Sequence, residues 1–205
     1  MATGNLADSK EICANYDKIT NWFDNARTKT LMEKEYLDLC LKHLKPGADI
    51  LDLGCGTGEP IAKFFIENGM KITGIDGSPK MIELCKQRFP QMDWQIGDMR
   101  KINLGKKFDA IIAWDSFFHL PSEDQRKMFS IFRQHISPDG TLVFTTGTEN
   151  GEVYSTMDGH SFYHASLNLE EYRKLLVEHG FNILINKIED PDCGEHTVWV
   201  AKITN

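Results

Sequence analysis

The chain has 205 residues, of which 41% are hydrophobic and 26% charged, and its formal net charge is −7. This composition is typical of a globular protein with a real core, and the acidic balance disfavours nucleic-acid partners, which are attracted mainly by positive charge. The five cysteines are scattered and form no C-x-x-C pair, which indicates reduced thiols. With no signal-peptide pattern and no apolar stretch of membrane-spanning length, we expect a cytoplasmic protein without a membrane partner.

Two helices are predicted at the start of the chain. Apolar residues recur at steps of three and four in both, at Ile12, Tyr16, Ile19 and Phe23 and then at Leu37, Leu41 and Leu44. Pro46 and Gly47 end the second helix. We therefore expect residues 1–45 to form a helical cap on a core of residues 46–205, within a single domain.

Strands and helices then alternate. The predicted strands are 50–53, 71–75, 94–96, 108–114 and 141–145, separated by helices and by a turn at 137–140. Ser78 and Asn168 are placed to cap helices, and Ser122 with Gln125 matches a capping box. The last two strands, 181–188 and 197–203, are joined by too few residues for a crossover helix, so they should form an antiparallel hairpin. The predicted fold is a doubly wound α/β sheet of seven mostly parallel strands.

The most informative segment is 49–58, Asp-Ile-Leu-Asp-Leu-Gly-Cys-Gly-Thr-Gly. A strand that runs into Gly54, Gly56 and Gly58 predicts a tight turn where the backbone can approach a ligand. Glu59 replaces the last glycine of the G-x-G-x-x-G pattern, and a carboxylate there would repel a pyrophosphate. Asp76 ends the next strand about twenty residues later, where an acid can accept both ribose hydroxyls.

These motifs resemble motif I and the following acidic motif of the class I S-adenosylmethionine-dependent methyltransferases. The resemblance is good over about residues 48–145 and implies a Rossmann-like sheet and S-adenosylmethionine as cofactor. It implies that Asp52 orders the glycine turn of Gly54, Cys55 and Gly56. The remaining cofactor contacts it implies are Asp76 with the ribose, Gly77 and Met81 at one adenine face, Asp98 and Met99 at the adenine edge, and Trp114 and Asp115 at the methionine end.

The helical cap resembles a lid over the methionine moiety, to which Tyr16 and Arg27 would contribute, with Arg27 on the carboxylate. A packed amphipathic helix is an equally good reading for Tyr16. His119 follows the fourth strand, and Tyr163 and His164 lie in the segment 158–164, interpreted as a loop. These three are the candidate catalytic residues, although each can equally be structural. His196 is interpreted as structural.

The resemblance implies in-line methyl transfer to a small-molecule acceptor without a metal. The signatures of amino-methylating nucleic-acid enzymes and of cytosine C5 enzymes are missing from the sequence, and the acids available for a catechol-type metal site match poorly. Two alternatives remain: a non-catalytic module that binds S-adenosylmethionine and, less favoured, an NAD-dependent dehydrogenase. A monomer and a homodimer are both compatible with the sequence.

Overall fold

The structure is a computed structural model that describes residues 6–203, with side chains described from Glu11 onwards. The outer ends of the predicted cap and core, 1–5 and 204–205, lie outside the described residues. The helices are α1 Leu6–Ala26, α2 Lys34–Lys42, α3 Ile61–Glu67, α4 Pro79–Arg88, α5 Ser122–His135 and α6 Leu169–Glu178. The strands are β1 Asp49–Leu53, β2 Lys71–Asp76, β3 Asp93–Ile96, β4 Phe108–Ala113, β5 Ile136–Thr146, β6 Gly151–Met157, β7 His160–Ser166, β8 Phe181–Asp190 and β9 His196–Ile203.

The central sheet confirms the predicted fold class. Its seven strands lie in the order β3-β2-β1-β4-β5-β9-β8, with the first five parallel and β9 antiparallel to both of its neighbours. The strand order reverses between β1 and β4, because β1 leads on to β2 and β4 leads on to β5. In sheets of this type, ligands bind beyond the carboxyl ends of the strands at such a reversal.

Helices cover both faces of this sheet because successive strand residues point to opposite sides. Ile50 belongs to the buried cluster that contains Phe65 of α3, whereas Leu51 belongs to the cluster that contains Phe132 of α5. All four side chains are fully buried, and burial of each stabilises the fold by about 1.5–3 kcal/mol. Among residues 6–203, no helix has the length and apolar character needed to cross a membrane.

Two of the three predicted helix caps are confirmed. The side chains of Ser78 and Asn168 each accept a hydrogen bond from a backbone N–H three residues further on. The predicted capping box at Ser122 is wrong, because α5 begins at Ser122 itself after Pro121, without a side-chain cap. Gln125 instead turns away from the helix end, and its amide donates to two backbone carbonyls, one of them in β7.

The predicted turn at 137–140 lies inside β5 as an irregularity. Phe108 of β4 pairs with Ile136, and Ala110, only two residues later, pairs with Thr141. The extra residues of β5 bulge out of the ladder around Asp139, whose φ is +62°. The turn residues therefore interrupt the pairing without ending the strand.

The segment 158–164 is not a loop, contrary to expectation. It forms the tip and second strand of a hairpin, β6–β7, which is a separate two-stranded sheet. Asp158 and Gly159 form the two-residue turn, and both have positive φ, +46° and +75°, as the tightest hairpin turns require. Tyr154 and Tyr163 pair across the strands with their ring centroids 5.5 Å apart. The hairpin packs on α1, where Phe162 joins a cluster with Ile19.

Candidate functional site

A cavity of about 680 Å³ opens at the strand-order reversal, between the carboxyl ends of β1 to β4 and the helix α1. The structure brings all thirteen predicted cofactor residues to its wall, together with one of the three candidate catalytic residues. These are Tyr16, Arg27, Asp52, Gly54, Cys55, Gly56, Asp76, Gly77, Met81, Asp98, Met99, Trp114 and Asp115, with His119.

The glycine turn is held from both sides. The N–H groups of Gly54 and Cys55 donate to the carbonyl of Ile75 in β2, at 2.7 and 3.1 Å. Gly54 has φ +74°, and a Cβ at that position would lie 2.2 Å from Cβ of Ser116. The Ser116 hydroxyl in turn donates to the Leu53 carbonyl at 2.6 Å. The turn thus needs glycine for its conformation and because the segment after β4 passes against it.

Asp76 joins the end of β2 to the glycine turn. One of its carboxylate oxygens accepts from the Gly56 N–H at 2.9 Å and the other from the Ser78 N–H at 2.8 Å. The Gly77 N–H also acts on this carboxylate, which still has accepting capacity for a ligand in the cavity. Burial raises the pKa of Asp76 to about 6, although the backbone hydrogen bonds act in the opposite direction.

Asp52 is a second buried carboxyl group in the cavity wall, beside Asp76. Asp52 is only 5% exposed. Burial and then the Asp76 charge raise its pKa to about 7. Both carboxyl groups therefore titrate near neutral pH. Binding of a cationic or hydroxyl-bearing ligand there would change how far they are ionised.

Beyond Asp76, the end of β3 supplies Asp98 and Met99 to the cavity. Asp98 is engaged by Arg100, which donates from Nε at 2.9 Å and from Nη2 at 2.7 Å. Burial opposes ionisation of Asp98, but the hydrogen bonds and charge of Arg100 outweigh it and lower the pKa. Arg100 also donates to Asp124 at 2.7 Å, which fixes this corner to α5.

The helix α1 fills the space that a side chain at residue 77 would need. A Cβ on Gly77 would lie 2.2 Å from Sγ of Cys13. Burial, followed by the charges of Asp76 and Asp98, raises the pKa of the Cys13 thiol to about 11, so the thiol stays protonated. Cys13 thus covers this part of the cavity wall.

Two aspartates on one face of α1 fasten it across the cavity. Asp17 accepts from the Ser78 hydroxyl at 2.9 Å, at the beginning of α4. Two helical turns later, Asp24 forms a two-point ion pair with Arg88 at the end of α4, at 2.6 and 2.7 Å. Asp24 also accepts from the Thr57 hydroxyl of the glycine turn at 2.9 Å. The predicted lid is therefore tied both to α4 and to the glycine turn.

Tyr16 and His119 form a hydrogen-bonded pair at the cavity wall. Nδ1 of His119 lies 2.8 Å from the Tyr163 carbonyl oxygen, and Nε2 lies 2.9 Å from Oη of Tyr16. Since a carbonyl only accepts, Nδ1 carries the proton, and in the neutral ring Nε2 accepts from the Tyr16 hydroxyl. Burial lowers the pKa of His119 to about 4, against the opposing effect of the carbonyl, so the ring is neutral at pH 7.

The structure does not bring the other two candidate catalytic side chains to this cavity. Tyr163 reaches His119 through its backbone carbonyl, while its ring packs on Tyr154. Nε2 of His164 lies 2.7 Å from the Ser155 hydroxyl across the hairpin, and its ring packs 4.7 Å from the His119 ring. Both residues therefore support His119 from the hairpin side.

The other end of the cavity carries a group of charges that the sequence did not fully predict. Arg27 forms an ion pair with Glu33, a carboxylate with no exposed surface, and its Nη2 lies 4.0 Å from Oδ2 of Asp115. Asp115 has φ +48°, an unusual conformation for a non-glycine residue. Nε2 of His196, which begins β9, lies 2.7 Å from Oδ1 of Asp115.

Known proteins match this chain both in sequence and in fold. Residues 50–140 match the family described as "Methyltransferase domain". The fold matches 1,6-didemethyltoxoflavin-N1-methyltransferase of Burkholderia thailandensis, solved with 1,6-didemethyltoxoflavin and S-adenosylhomocysteine, at a TM-score of 0.76 and 16% identity over 100% of this chain and 92% of that one. Residues 50–140 of this chain thus match a methyltransferase domain in sequence, and the fold is that of a solved methyltransferase.

Two curated methyltransferases are similar in sequence. The dTDP-3-amino-3,4,6-trideoxy-alpha-D-glucopyranose N,N-dimethyltransferase of Streptomyces venezuelae is 31% identical over 71% of this chain and 65% of its own length. The dTDP-4-amino-2,3,4,6-tetradeoxy-D-glucose N,N-dimethyltransferase of Saccharopolyspora spinosa is 30% identical over 53% of this chain and 44% of its own. The chain thus spans between about half and two thirds of the length of these relatives.

Several residues of the site were not predicted from the sequence. Cys13 and Arg100 line the cavity, and Glu33 and His196 hold side chains that do. Arg100 had a local signal, since it lies two residues after Asp98. Glu33 is only six residues from Arg27, but the two lie in the connection between α1 and α2 and not at a helical spacing. His196 had no local signal, because Asp115 is distant in sequence. In the part of the chain with described side chains, no cluster of three or more His, Cys, Asp or Glu residues is arranged to hold a metal ion.

Proposed function

We propose that this chain is an S-adenosylmethionine-dependent methyltransferase that acts on a small-molecule acceptor. The observation that carries the proposal is the Asp76 carboxylate, which holds the glycine turn and keeps accepting capacity for ribose hydroxyls. Asp98 and the Met99 backbone would hold the adenine edge, with Met81 at one face. Asp115 would bind the methionine end.

The cavity also suits a cationic cofactor. Acidic side chains in its wall outnumber basic ones by six to three. The acidic residues are Asp17, Asp52, Glu59, Asp76, Asp98 and Asp115, and the basic residues are Arg27, Arg100 and Lys101. When bound, the cofactor would supply a methyl group on a positively charged sulfur; a lone pair of the acceptor would attack that methyl carbon in line as its bond to sulfur breaks, leaving a neutral thioether. Because the leaving group is already activated, the proposed reaction needs alignment and a dry cavity, and no metal.

Arg27 has a different role in this proposal from the one expected from the sequence. Its guanidinium is paired with Glu33, which is completely buried. Glu33 therefore already neutralises part of the Arg27 charge before a ligand binds. The remaining N–H groups of Arg27 would orient a ligand carboxylate by hydrogen bonds more than attract it by net charge.

Tyr16 is proposed as the side chain that faces the reacting acceptor. Its hydroxyl donates a hydrogen bond to His119, so its oxygen presents lone pairs to an acceptor N–H or O–H. His119 receives a proton only if it leaves Tyr16, because Nδ1 is fixed by the Tyr163 carbonyl. His119, Tyr163 and His164 thus hold the Tyr16 hydroxyl in place from the hairpin side, and burial raises the pKa of Tyr16, which keeps that hydroxyl protonated.

The acceptor class follows from the relatives only as a proposal. The similar curated enzymes are named for amino-sugar N,N-dimethylation, and another similar enzyme, from Ilyobacter polytropus, is a malonyl-[acyl-carrier protein] O-methyltransferase. Amine-bearing small molecules are therefore the first acceptors to test. We further propose a cytoplasmic protein, a monomer or homodimer, without nucleic-acid or membrane partners; the five cysteines, all free thiols, support that compartment.

The function is tested by calorimetry and turnover together. We expect S-adenosylmethionine and S-adenosylhomocysteine to bind with micromolar affinity and NAD⁺ not to bind. Transfer of a labelled methyl group is then assayed against amino sugars, simple amines, carboxylic acids and phenols. Binding of neither sulfur ligand would contradict the proposal, and binding without transfer to any acceptor class would favour a non-catalytic binding module.

Exchange of Tyr16 for phenylalanine tests its proposed position. We expect Tyr16→Phe to lower kcat by about 100-fold, the scale of a misplaced acceptor, with little change in S-adenosylhomocysteine affinity. Tyr163→Phe is the matched control, because it removes a hydroxyl from a ring that does not line the cavity, and its kcat should stay within about twofold. Equal effects of the two substitutions would contradict the assignment.

Binding of S-adenosylhomocysteine should release a proton near pH 6. The pKa of Asp76 in the free protein is about 6, and ribose hydroxyls bind only its ionised form, so binding lowers that pKa. Below pH 6 the dissociation constant should rise by up to about tenfold per pH unit. Calorimetry in buffers of different ionisation enthalpy measures the released proton directly.

The second buried acid provides the control for this pH dependence. Asp52→Asn removes the group whose pKa is about 7 and leaves Asp76 in place. The proton release near pH 6 should persist in that variant. Loss of the release in Asp52→Asn would assign it to Asp52 and contradict the role given to Asp76.

A further inference from the structure

The contacts of His196 define its protonation state. Nδ1 contacts the Cys193 carbonyl oxygen at 2.6 Å, and Nε2 contacts Oδ1 of Asp115 at 2.7 Å. A carbonyl oxygen and a carboxylate can only accept hydrogen bonds, so both ring nitrogens must donate. His196 is therefore an imidazolium in this structure. Burial works against this charge, but the hydrogen bond and charge of Asp115 outweigh it and raise the pKa above the ordinary value of 6.5.

The same contacts determine which carboxylate oxygen of Asp115 is available to a ligand. Its Oδ1 is occupied by His196, with the Thr145 hydroxyl further away at 3.5 Å. The Asp115 N–H donates to that hydroxyl at 3.0 Å, which holds the backbone where φ is +48°. Oδ2 is the oxygen left over; it lies 4.0 Å from Nη2 of Arg27, and both residues line the cavity. A strained backbone with one anchored oxygen is typical of a side chain held ready for a ligand.

We propose that His196 is a positioning residue, which anchors one oxygen of Asp115 so that the other accepts a hydrogen bond from the α-ammonium group of the bound cofactor. The inference rests on the proposed function and deepens it. His196 does not line the cavity; it acts through Asp115. Its ring also packs 5.7 Å from Trp114, which places the imidazolium behind the cavity wall.

The charges that act on His196 are those of Asp115 after β4 and Arg27 after α1. Glu33 before α2 and Asp190 at the end of β8 act on the neighbouring Cys193. Arg27 is neutralised by Glu33, and the Asp190 carboxylate accepts from the Tyr36 hydroxyl. Asp115 is thus the anion that pairs with His196, and the ion pair involves only these two side chains.

The inference is tested with two ligands that differ in the amino acid part. S-adenosylhomocysteine carries the α-ammonium group, and 5′-deoxy-5′-methylthioadenosine lacks it. We expect His196→Phe to weaken the first by roughly tenfold and the second by less than twofold. His196→Gln, which keeps one N–H donor, should recover part of the loss. His179→Gln, at a histidine that contacts Ser130 on α5, is the control and should change neither affinity.

Nuclear magnetic resonance supplies a second readout that needs no ligand. The ¹⁵N shifts of His196 should show both nitrogens protonated, with a titration midpoint above 6.5 that falls in Asp115→Asn. A neutral ring at pH 6, or equal losses for the two ligands in His196→Phe, would overturn the inference. Failure of the wild-type protein to bind either ligand would instead contradict the proposed function, so the two failures are distinguishable.

Discussion

Asp76→Ala is expected to weaken S-adenosylhomocysteine binding by about 100- to 1,000-fold. Each hydrogen bond between a carboxylate and a ribose hydroxyl contributes roughly 1.5–3 kcal/mol, and about 1.4 kcal/mol corresponds to a factor of ten. The substitution also removes the acceptor for the Gly56 N–H, so the glycine turn loses one of its anchors. Titration calorimetry at pH 7.5, where Asp76 is ionised in the free protein, measures the loss.

The neighbouring acid again supplies the comparison. Asp52→Asn changes a carboxyl group whose pKa of about 7 leaves it partly protonated in the free protein. We expect it to weaken binding by less than about tenfold, since an amide can replace a protonated carboxyl group. If Asp76→Ala binds as tightly as the wild-type protein, or if Asp52→Asn is the more damaging variant, the ribose assignment is wrong.

The sequence predicted those parts of the molecule that are encoded locally or by alternation. Buried strands followed by helices determine a parallel sheet, and the short connection before β9 determines the antiparallel ending. Asp76 was predictable because it ends β2, and the glycines because they follow directly on the end of β1. Parallel strands end at one edge of the sheet, so residues far apart in sequence meet there.

The remaining features depend on contacts that no local pattern encodes. His196 meets Asp115 only because β9 is inserted beside β5. Cys13 lies over Gly77 because Asp17 and Asp24 fasten α1 across α4. The hairpin β6–β7 is a different kind of omission, because Asp-Gly at its turn is a recognised hairpin signal. The strand β6 is exposed along most of its length and its exposed residues include Val153 and Tyr154, so no clean alternation of polar and apolar residues marks it.

Gly54→Ala should destabilise the protein by about 3 kcal/mol or more. Alanine at φ +74° costs roughly 1–2 kcal/mol, and overpacking typically costs another 1–3 kcal/mol. The new Cβ would lie 2.2 Å from Cβ and 2.8 Å from Oγ of Ser116, so β1 and the segment after β4 must separate. Chemical denaturation monitored by circular dichroism measures the change in the free energy of unfolding.

Gly69→Ala separates the two contributions. Gly69 has φ +79°, almost the same as Gly54, but a Cβ there meets nothing within 4 Å, so only the conformational cost of about 1–2 kcal/mol applies. The difference between the two variants is then the steric contribution at the strand-order reversal. Adding Ser116→Gly to Gly54→Ala should recover part of that difference, despite the lost hydrogen bond to the Leu53 carbonyl. Equal destabilisation in Gly54→Ala and Gly69→Ala would mean that backbone conformation alone requires glycine at residue 54. The close contact between the glycine turn and the segment after β4 would then contribute nothing to the free energy of unfolding.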